Sequence, residues 1–327
     1  MSPPPLIPLL LLVGLLVLSR SAATEDLSLP EPLSLDQALR LAGDDPGVSE
    51  PTGPAIALPY RDSLYLDCHG LAFANAVADP GRGRPAAALL DPPDGQRLEV
   101  LTRYLDVLLA DLAYARFNEA MAVAYVQWDR AANRRDLGQV SDLRVMELEM
   151  AYAGILQSRT GSELAQQLTR SLLASALGHP ETLPRDLVEP RLPRIPDPLP
   201  ETDAALAAAE RDNAMVGRLL RDGGEVESQR VLLALRRQLV ELGLRLRALD
   251  AAARQVATES AYRDLKLDES RTLYEQEVTA DLGYSMSRQT MTRLRERRIA
   301  FCRAITWAEL AALMGRSDLG GLARASD

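Results

Sequence analysis

The feature that most constrains this chain is the distribution of its 21 prolines, which leaves two long stretches without any. Residues 96–177 contain no proline, and none follows Pro200 through to the C-terminus. Proline interrupts a helix interior because it lacks an N–H donor and its ring clashes with the preceding turn. The two stretches can therefore hold very long helices, whereas the proline-rich segments 48–95 and 179–200 predict loops or extended linkers.

Both proline-free stretches carry apolar residues at the alternating spacing of three and four that is typical of a coiled-coil seam. The most regular seam contains Leu232, Leu235, Leu239, Leu242, Leu246, Leu249, Ala253 and Val256. The first stretch has a seam at Leu98, Leu101, Leu105, Leu108, Leu112 and Ala115, which continues after a break at Leu143, Met146, Met150, Ala153, Leu164, Leu168 and Leu172. Breaks near residues 137–142 and 277–282 fold each stretch back on itself. The predicted fold class is all-α, with two tandem long antiparallel helical hairpins, proline-rich linkers and little or no β-structure.

The N-terminus predicts export. An apolar run from Leu6 to Leu18 is shorter than the roughly 20 residues that a membrane-spanning helix needs, and small residues follow up to Ala23. This layout is typical of a secretory signal peptide with cleavage after Ala23. The predicted organisation is a signal peptide (1–23), a lead-in with a short helix and a Pro/Gly-rich loop (24–95), a first hairpin (96–178), a linker (179–200), a second hairpin (201–315) and a tail (316–327).

Three shorter elements are expected outside the long helices. Ser34 and Gln37 have the spacing of a capping box, which predicts a short helix over residues 34–42. A helix within residues 63–78 and another over residues 203–222 are also predicted.

Composition disfavours several classes of function. The net charge of −9 disfavours binding to nucleic acid, which needs clustered basic residues. The two histidines, His69 and His179, lack the companions of a metal site or a catalytic centre, so we predict no enzyme activity, no cofactor and no metal. The two cysteines, Cys68 and Cys302, either pair in an oxidising compartment or remain as buried thiols, and their sequence positions leave both states open.

The two halves of the chain resemble each other. Residues 138–143 align with residues 277–282 at the breaks, residues 176–178 align with 313–315 at the ends, and residues 33–39 align loosely with 200–206 at the starts. We interpret the chain as a tandem repeat of one short helix and one long hairpin.

The order of these motifs resembles the TolC-like outer-membrane efflux proteins. The motifs that carry the resemblance are residues 33–42, the Asp45-Pro46 step, residues 104–108, the turn at 138–143 and residues 176–180 in the first half, with residues 273–275 in the second. The resemblance covers roughly residues 33–47 and 96–315. The chain lacks the alternating segments of membrane strands, and its aromatic content of 4% is low, so the resemblance implies a shortened, barrel-less relative with one hairpin per repeat.

The resemblance implies a non-catalytic duct or docking element for transmembrane efflux of small molecules. It further implies a homo-oligomer (a trimer in the family), a periplasmic adaptor protein and an inner-membrane pump as partners, and a periplasmic location with possible outer-membrane association. The alternative is a soluble periplasmic scaffold derived from the family and without transport activity.

By the same resemblance, the candidate partner-binding residues lie at the two hairpin tips. They are Gly138, Val140, Ser141, Asp142 and Leu143 in the first tip, and Val278, Thr279, Asp281 and Leu282 in the second. The residues themselves need no partner to explain them, because Ser141 and Asp142 also suit the start of a helix after an ordinary αα-hairpin turn.

Overall fold

Long helices dominate the part of the chain that the structure describes. The computed structural model describes residues 29–43, 63–73, 89–276, 282–316 and 318. The predicted signal peptide and residues 277–281 of the second tip lie outside these ranges. The helices of the described part are α1 (Leu35–Gly43), α2 (Cys68–Phe73), α3 (Pro92–Asp136), α4 (Asp142–Ala176), α5 (Thr202–Asp212), α6 (Ala214–Asp222), α7 (Glu225–Glu275) and α8 (Leu282–Leu313).

The long helices form two antiparallel hairpins, α3 with α4 and α7 with α8, and α3 packs against α8 to join them. The four helices therefore lie in the order α4–α3–α8–α7, with α4 and α7 on the outside. Within the described ranges there is no strand, and one parallel bridge between Leu33 and Leu187 is the only pairing of β type. The predicted all-α fold of two tandem hairpins is confirmed.

Both return helices end in the same geometry. Gly178 after α4 has φ +77° and Gly315 after α8 has φ +76°. In each case the residue after the glycine donates its N–H, at 2.9 Å, to the carbonyl five residues earlier in the chain. This is a Schellman ending, in which glycine takes the left-handed position that other residues resist. The alignment of residues 176–178 with 313–315 thus corresponds to equivalent helix ends.

Two predicted helix boundaries differ from the structure. Helix α3 begins at Pro92 instead of residue 96, because the first turn of a helix has free N–H positions and tolerates proline. In the second half, the single helix predicted over residues 203–222 is wrong, since the chain forms α5 and α6 with a break at Asn213.

The buried side chain of Asn213 accounts for that break. Its Oδ1 accepts a hydrogen bond from the N–H of Val216 at 3.1 Å and caps α6. Its Nδ2 donates to the carbonyls of Leu89 and Leu313, at 2.9 and 3.1 Å. Asn213 therefore ties the α5–α6 joint to the start of α3 and the end of α8.

The predicted seams have different outcomes in α7 and α4. The α7 seam is buried against the rest of the bundle, with Leu235, Leu242, Leu246 and Leu249 fully enclosed. The predicted α4 seam is wrong. Its residues are largely exposed, with Leu143 at 69%, Met146 at 65%, Met150 at 73%, Leu164 at 59% and Leu168 at 38%.

The face of α4 that packs against α3 contains smaller and more polar residues. Ser162 and Thr169 are buried there, together with Val145 and Leu173. The Ser162 hydroxyl donates to the Arg159 carbonyl at 2.7 Å, and the Thr169 hydroxyl donates to a carbonyl of its own helix at 2.9 Å. Because both hydroxyls already bond to carbonyls of α4, burying them costs little free energy. The sequence prediction considered only apolar residues and therefore did not identify this face.

The hydrophobic core lies at one end of the bundle, which we call the base. There α1, α2, α5, α6 and the linker pack around the ends of the four long helices. The capping box of α1 is confirmed, since the Ser34 N–H donates to Gln37 Oε1 at 2.8 Å and the Gln37 N–H donates to Ser34 Oγ at 3.3 Å. Helix α2 (Cys68–Phe73) lies within the predicted range 63–78, of which residues 74–78 are outside the described part.

Candidate functional site

The first predicted tip is a closed turn between α3 and α4. Gly138 has φ +67° and donates its N–H to the Arg135 carbonyl at 2.8 Å. Ser141 caps α4 by accepting a hydrogen bond from the N–H of Arg144 at 3.3 Å. The local sequence therefore satisfies both helix ends without a partner molecule.

The structure brings together the five predicted residues of this tip, Gly138, Val140, Ser141, Asp142 and Leu143. The Asp142 side chain is 87% exposed, and its closest ion-pair partner, Arg135, is 4.0 Å away. Leu143 is also strongly exposed. The first tip thus presents one carboxylate and one large apolar side chain to the surroundings.

Of the second predicted tip, Val278, Thr279 and Asp281 lie outside the described residues. Leu282 is the first residue of α8. The structure therefore gives no geometry for this half of the predicted site.

The first tip lies far beyond the start of α8. A Cβ atom on Gly283 would lie 3.0 Å from the side chain of Val123, so the start of α8 is level with Val123 of α3. Helix α3 continues for thirteen more residues to Asp136, which corresponds to about 20 Å at 1.5 Å per residue. We call residues 124–154, which extend past α8, the projecting end of the first hairpin.

An aromatic cluster holds the two helices of the projecting end together. Trp128 of α3 and Tyr152 of α4 have parallel rings with centroids 5.6 Å apart, and Tyr125 contacts both of them edge-on. Tyr125 remains 46% exposed, so the cluster also contributes to the surface.

The outward face of α4 is a row of exposed apolar residues, which we call the α4 stripe: Leu143, Met146, Met150, Leu164 and Leu168. It runs from the tip towards the base on the face opposite α3. Exposed apolar rows of this extent usually mark an interaction surface.

At the base, residues 104–106 of α3 anchor the segments outside the hairpins. The Tyr104 hydroxyl lies 2.7 Å from the Leu33 carbonyl oxygen and 2.6 Å from the Val188 carbonyl oxygen, so both acceptors share its single proton. It therefore holds the lead-in against the linker where these two segments form their bridge. Burial raises the pKa of the Tyr104 hydroxyl, which keeps it protonated as a donor.

Asp106 anchors a second segment. Its two carboxylate oxygens accept hydrogen bonds from the N–H groups of Leu64 and Tyr65, each at 2.9 Å. Burial raises the pKa of Asp106. The two N–H donors and the neighbouring Arg103 and Arg298 lower this pKa by less, so the net shift is upward. Residues 63–73, which we call the strap, are thus fixed to α3.

The strap is also fixed to both helices of the second hairpin. Cys68 forms a disulfide with Cys302 of α8, with the two Cα atoms 5.2 Å apart. His69 Nδ1 lies 3.2 Å from Glu241 Oε1 of α7. The pairing of the cysteines, which the sequence left open, is resolved in favour of the disulfide, and the adjacent histidine lies within hydrogen-bonding distance of Glu241.

A buried ion network continues from this contact. Arg245 of α7 is 1% exposed and contacts Glu241 at 2.6 Å and Glu309 of α8 at 3.0 Å. Sequence analysis missed this network, although one signal was present: Glu241 and Arg245 stand four residues apart, directly beside the leucine seam of α7. The network joins the strap, α7 and α8.

Two features are absent from the described part of the chain. It contains no group of three His, Cys, Asp or Glu side chains placed to hold a metal ion. None of its helices combines the length and apolar character required to span a membrane.

Neither the models of known protein families nor the curated protein sequences contain a match to this chain.

Proposed function

We propose that the chain is a non-catalytic duct or docking element of a TolC-like efflux or export system, located in the periplasm or at the outer membrane. The observation that carries this proposal is the open order of the four long helices, with an exposed apolar face on the outer helix α4. The motif order described above supports the choice of family.

Self-association would cover the exposed face of α4. Helices α4 and α7 are different surfaces at opposite sides of one copy, so contacts between neighbouring copies would be head-to-tail. Head-to-tail contacts between identical chains close into rings when the rotation permits. A ring of hairpins would enclose a duct, and a trimer is the number that the resemblance implies.

The projecting end would be the docking element. It extends about 20 Å past the start of α8 at 1.5 Å per residue, so a periplasmic adaptor could reach it from several sides. Its exposed Met146, Met150 and Leu143 provide apolar contact area, and methionine adapts well to varied partners.

The first test is the mass of the full-length protein exported by a Gram-negative host and analysed by native mass spectrometry. We expect an oligomer that the double substitution Leu164→Glu and Leu168→Glu converts to a monomer. The matched control is Thr160→Glu with Gln167→Glu, which adds the same charges at exposed α4 positions that the helical spacing places off the stripe. A wild-type monomer would exclude the duct.

The second test separates the duct from the periplasmic scaffold. Recovery of the protein in outer-membrane fractions, with a photo-cross-link from position 142 to an adaptor, is expected for the efflux component. Complete recovery in the soluble periplasmic fraction, with no adaptor cross-link, would favour the scaffold.

A further inference from the structure

Helix α7 has two opposite faces with seam-like spacing. The leucine seam faces inward. On the opposite face a second series, also at alternating spacings of four and three, consists of Val226, Arg230, Leu233, Arg237, Val240, Leu244, Arg247, Ala251 and Arg254. All nine residues are exposed, and we call this series the outer seam.

The apolar members of the outer seam are too exposed to be explained by the fold itself. Val226 is 64% exposed, Leu233 is 69% exposed and Leu244 is 48% exposed. A series with this spacing forms a narrow stripe, which matches the seam of a second helix in a coiled coil. A membrane surface accepts a wider apolar face, so the narrow stripe favours a helix as the occupant.

The arginines of the outer seam are not neutralised within the described part of the chain. Arg237, Arg247 and Arg254 form no ion pair there, whereas Arg230 is 3.5 Å from Glu227. The two acidic residues between positions 228 and 254 are Glu241 and Asp250. Both point away from the seam, as Glu241 contacts Arg245 at 2.6 Å and Asp250 contacts Arg303 of α8 at 2.6 Å. The outer seam is therefore a positively charged surface on a chain whose net charge is −9.

Half of the outer seam also lies beyond the end of α8. Arg245 pairs with Glu309, and only four residues of α8 follow Glu309 before the helix ends at Leu313. In two antiparallel helices, each step forward along one matches a step back along the other, so Leu313 is level with about position 241 of α7. Residues of α7 before that position therefore have no α8 residue beside them. This part of the outer seam stands clear of the row of long helices.

We propose that the outer seam of α7 binds an acidic amphipathic helix of a partner protein. Apolar residues of that helix would pack against Val226, Leu233, Val240 and Leu244, and its glutamates or aspartates would pair with Arg237, Arg247 and Arg254. A second α7 is a poor occupant, because arginines would then face arginines. This inference goes beyond the duct proposal and competes with it for one surface, because a head-to-tail ring would place α4 of a neighbouring copy against α7. The oligomeric state of the α7 triple variant described below separates the two.

The experiment uses the full-length exported protein and a synthetic four-heptad peptide with leucine at the a and d positions and glutamate at e and g. The glutamates prevent the peptide from pairing with itself. Fluorescence anisotropy is expected to show binding that weakens as salt is added. The triple substitution Arg237→Glu, Arg247→Glu and Arg254→Glu should weaken binding about tenfold or more.

The matched control is Arg130→Glu, Arg134→Glu and Arg293→Glu, three exposed arginines outside α7 that form no ion pair in the described part. This control should bind the acidic peptide as the wild type does, and circular dichroism should show the same helicity for both triple variants. A peptide with lysine in place of glutamate should not bind.

Four results would overturn the proposal. The first is that the lysine peptide binds as tightly as the acidic peptide, and the second is that the α7 triple variant binds the acidic peptide as tightly as the wild type does. The third is that anionic phospholipid vesicles displace the acidic peptide. The fourth is that the wild type is an oligomer and the α7 triple variant is a monomer. The third result would assign the outer seam to a membrane surface, and the fourth would assign it to a second copy of this chain.

Discussion

The base of the bundle and the projecting end of the first hairpin share helices α3 and α4, but only the base has a core. Between Leu98 and Ala113, α3 is buried on several sides by α1, α4 and α8. In the projecting end the buried residues are Ala124, Ala131 and Val145. The difference shows that α3 and α4 continue as helices well beyond the part of their length that is stabilised by a buried core. The base supplies the free energy of folding, and the projecting end supplies surface.

The largest expected effect comes from removing the disulfide at the base. The double substitution Cys68→Ser and Cys302→Ser should lower the free energy of unfolding by about 4 kcal/mol, because the bridge closes a loop of 234 residues in the unfolded chain. Urea unfolding followed by circular dichroism measures this change. The wild type in reductant is the control and should match the variant. Equal stability with and without the bridge would show that the disulfide does not stabilise the base.

A pair of truncations compares the two regions directly. Leu109→Ala at the base should cost about 3 kcal/mol, because it leaves a cavity around a fully buried position. Met150→Ala in the projecting end should change stability by less than about 0.5 kcal/mol, because its side chain is 73% exposed. Similar losses in thermal and urea unfolding would show that the projecting end has a core of its own.

The strap anchor should show a pH dependence with a defined sign. Asp106→Asn should cost about 2 kcal/mol, because one of the two N–H donors would then face an amide NH₂ group. Burial raises the pKa of Asp106 in the folded protein, so its contribution to stability is complete below the ordinary carboxyl pKa of about 4 and declines as the pH rises through the raised value. The stability gap between wild type and variant should therefore be larger at pH 4 than at pH 7. A gap that widens towards neutral pH would show that the charged carboxylate is the favoured form.

The smallest effects distinguish the tip from the helix that follows it. Gly138→Ala should destabilise by about 1 kcal/mol, because φ +67° is left-handed backbone. Gly154→Ala should stabilise by about 0.8 kcal/mol, because the position is helical and a Cβ atom there meets nothing within 4 Å. Melting temperatures of the two single variants measure both changes. Equal shifts would mean that the turn does not require its glycine.

The sequence predicted the elements of this fold better than the faces they bury. Proline placement and the breaks in periodicity located both hairpins, and the leucines of the predicted α7 seam face inward. The α4 stripe was misassigned because periodicity detects an apolar row without indicating which neighbour covers it. On α4, Ser162 and Thr169 face α3 because their hydroxyls bond to their own helix.

The candidate sites show the same contrast between features that are local in sequence, which could be predicted, and contacts between distant segments, which could not. The residues of the first tip are local in sequence, so their proximity could be predicted from a single turn. Cys68 and Cys302, or Glu241 and His69, become neighbours only when the strap crosses the second hairpin. These residues are far apart in the sequence, and their spacing alone does not predict which of them come into contact in the fold.

The disulfide has a consequence for the integrity of the molecule. Because Cys68 and Cys302 are joined, the chain between them is a closed covalent circle that contains both hairpins, the linker and the first tip. A single proteolytic cut anywhere between the two cysteines opens this circle but releases no fragment until the bridge is reduced. In an oxidising compartment, a nicked copy would therefore keep all of its helices attached, and only electrophoresis after reduction would reveal the cut.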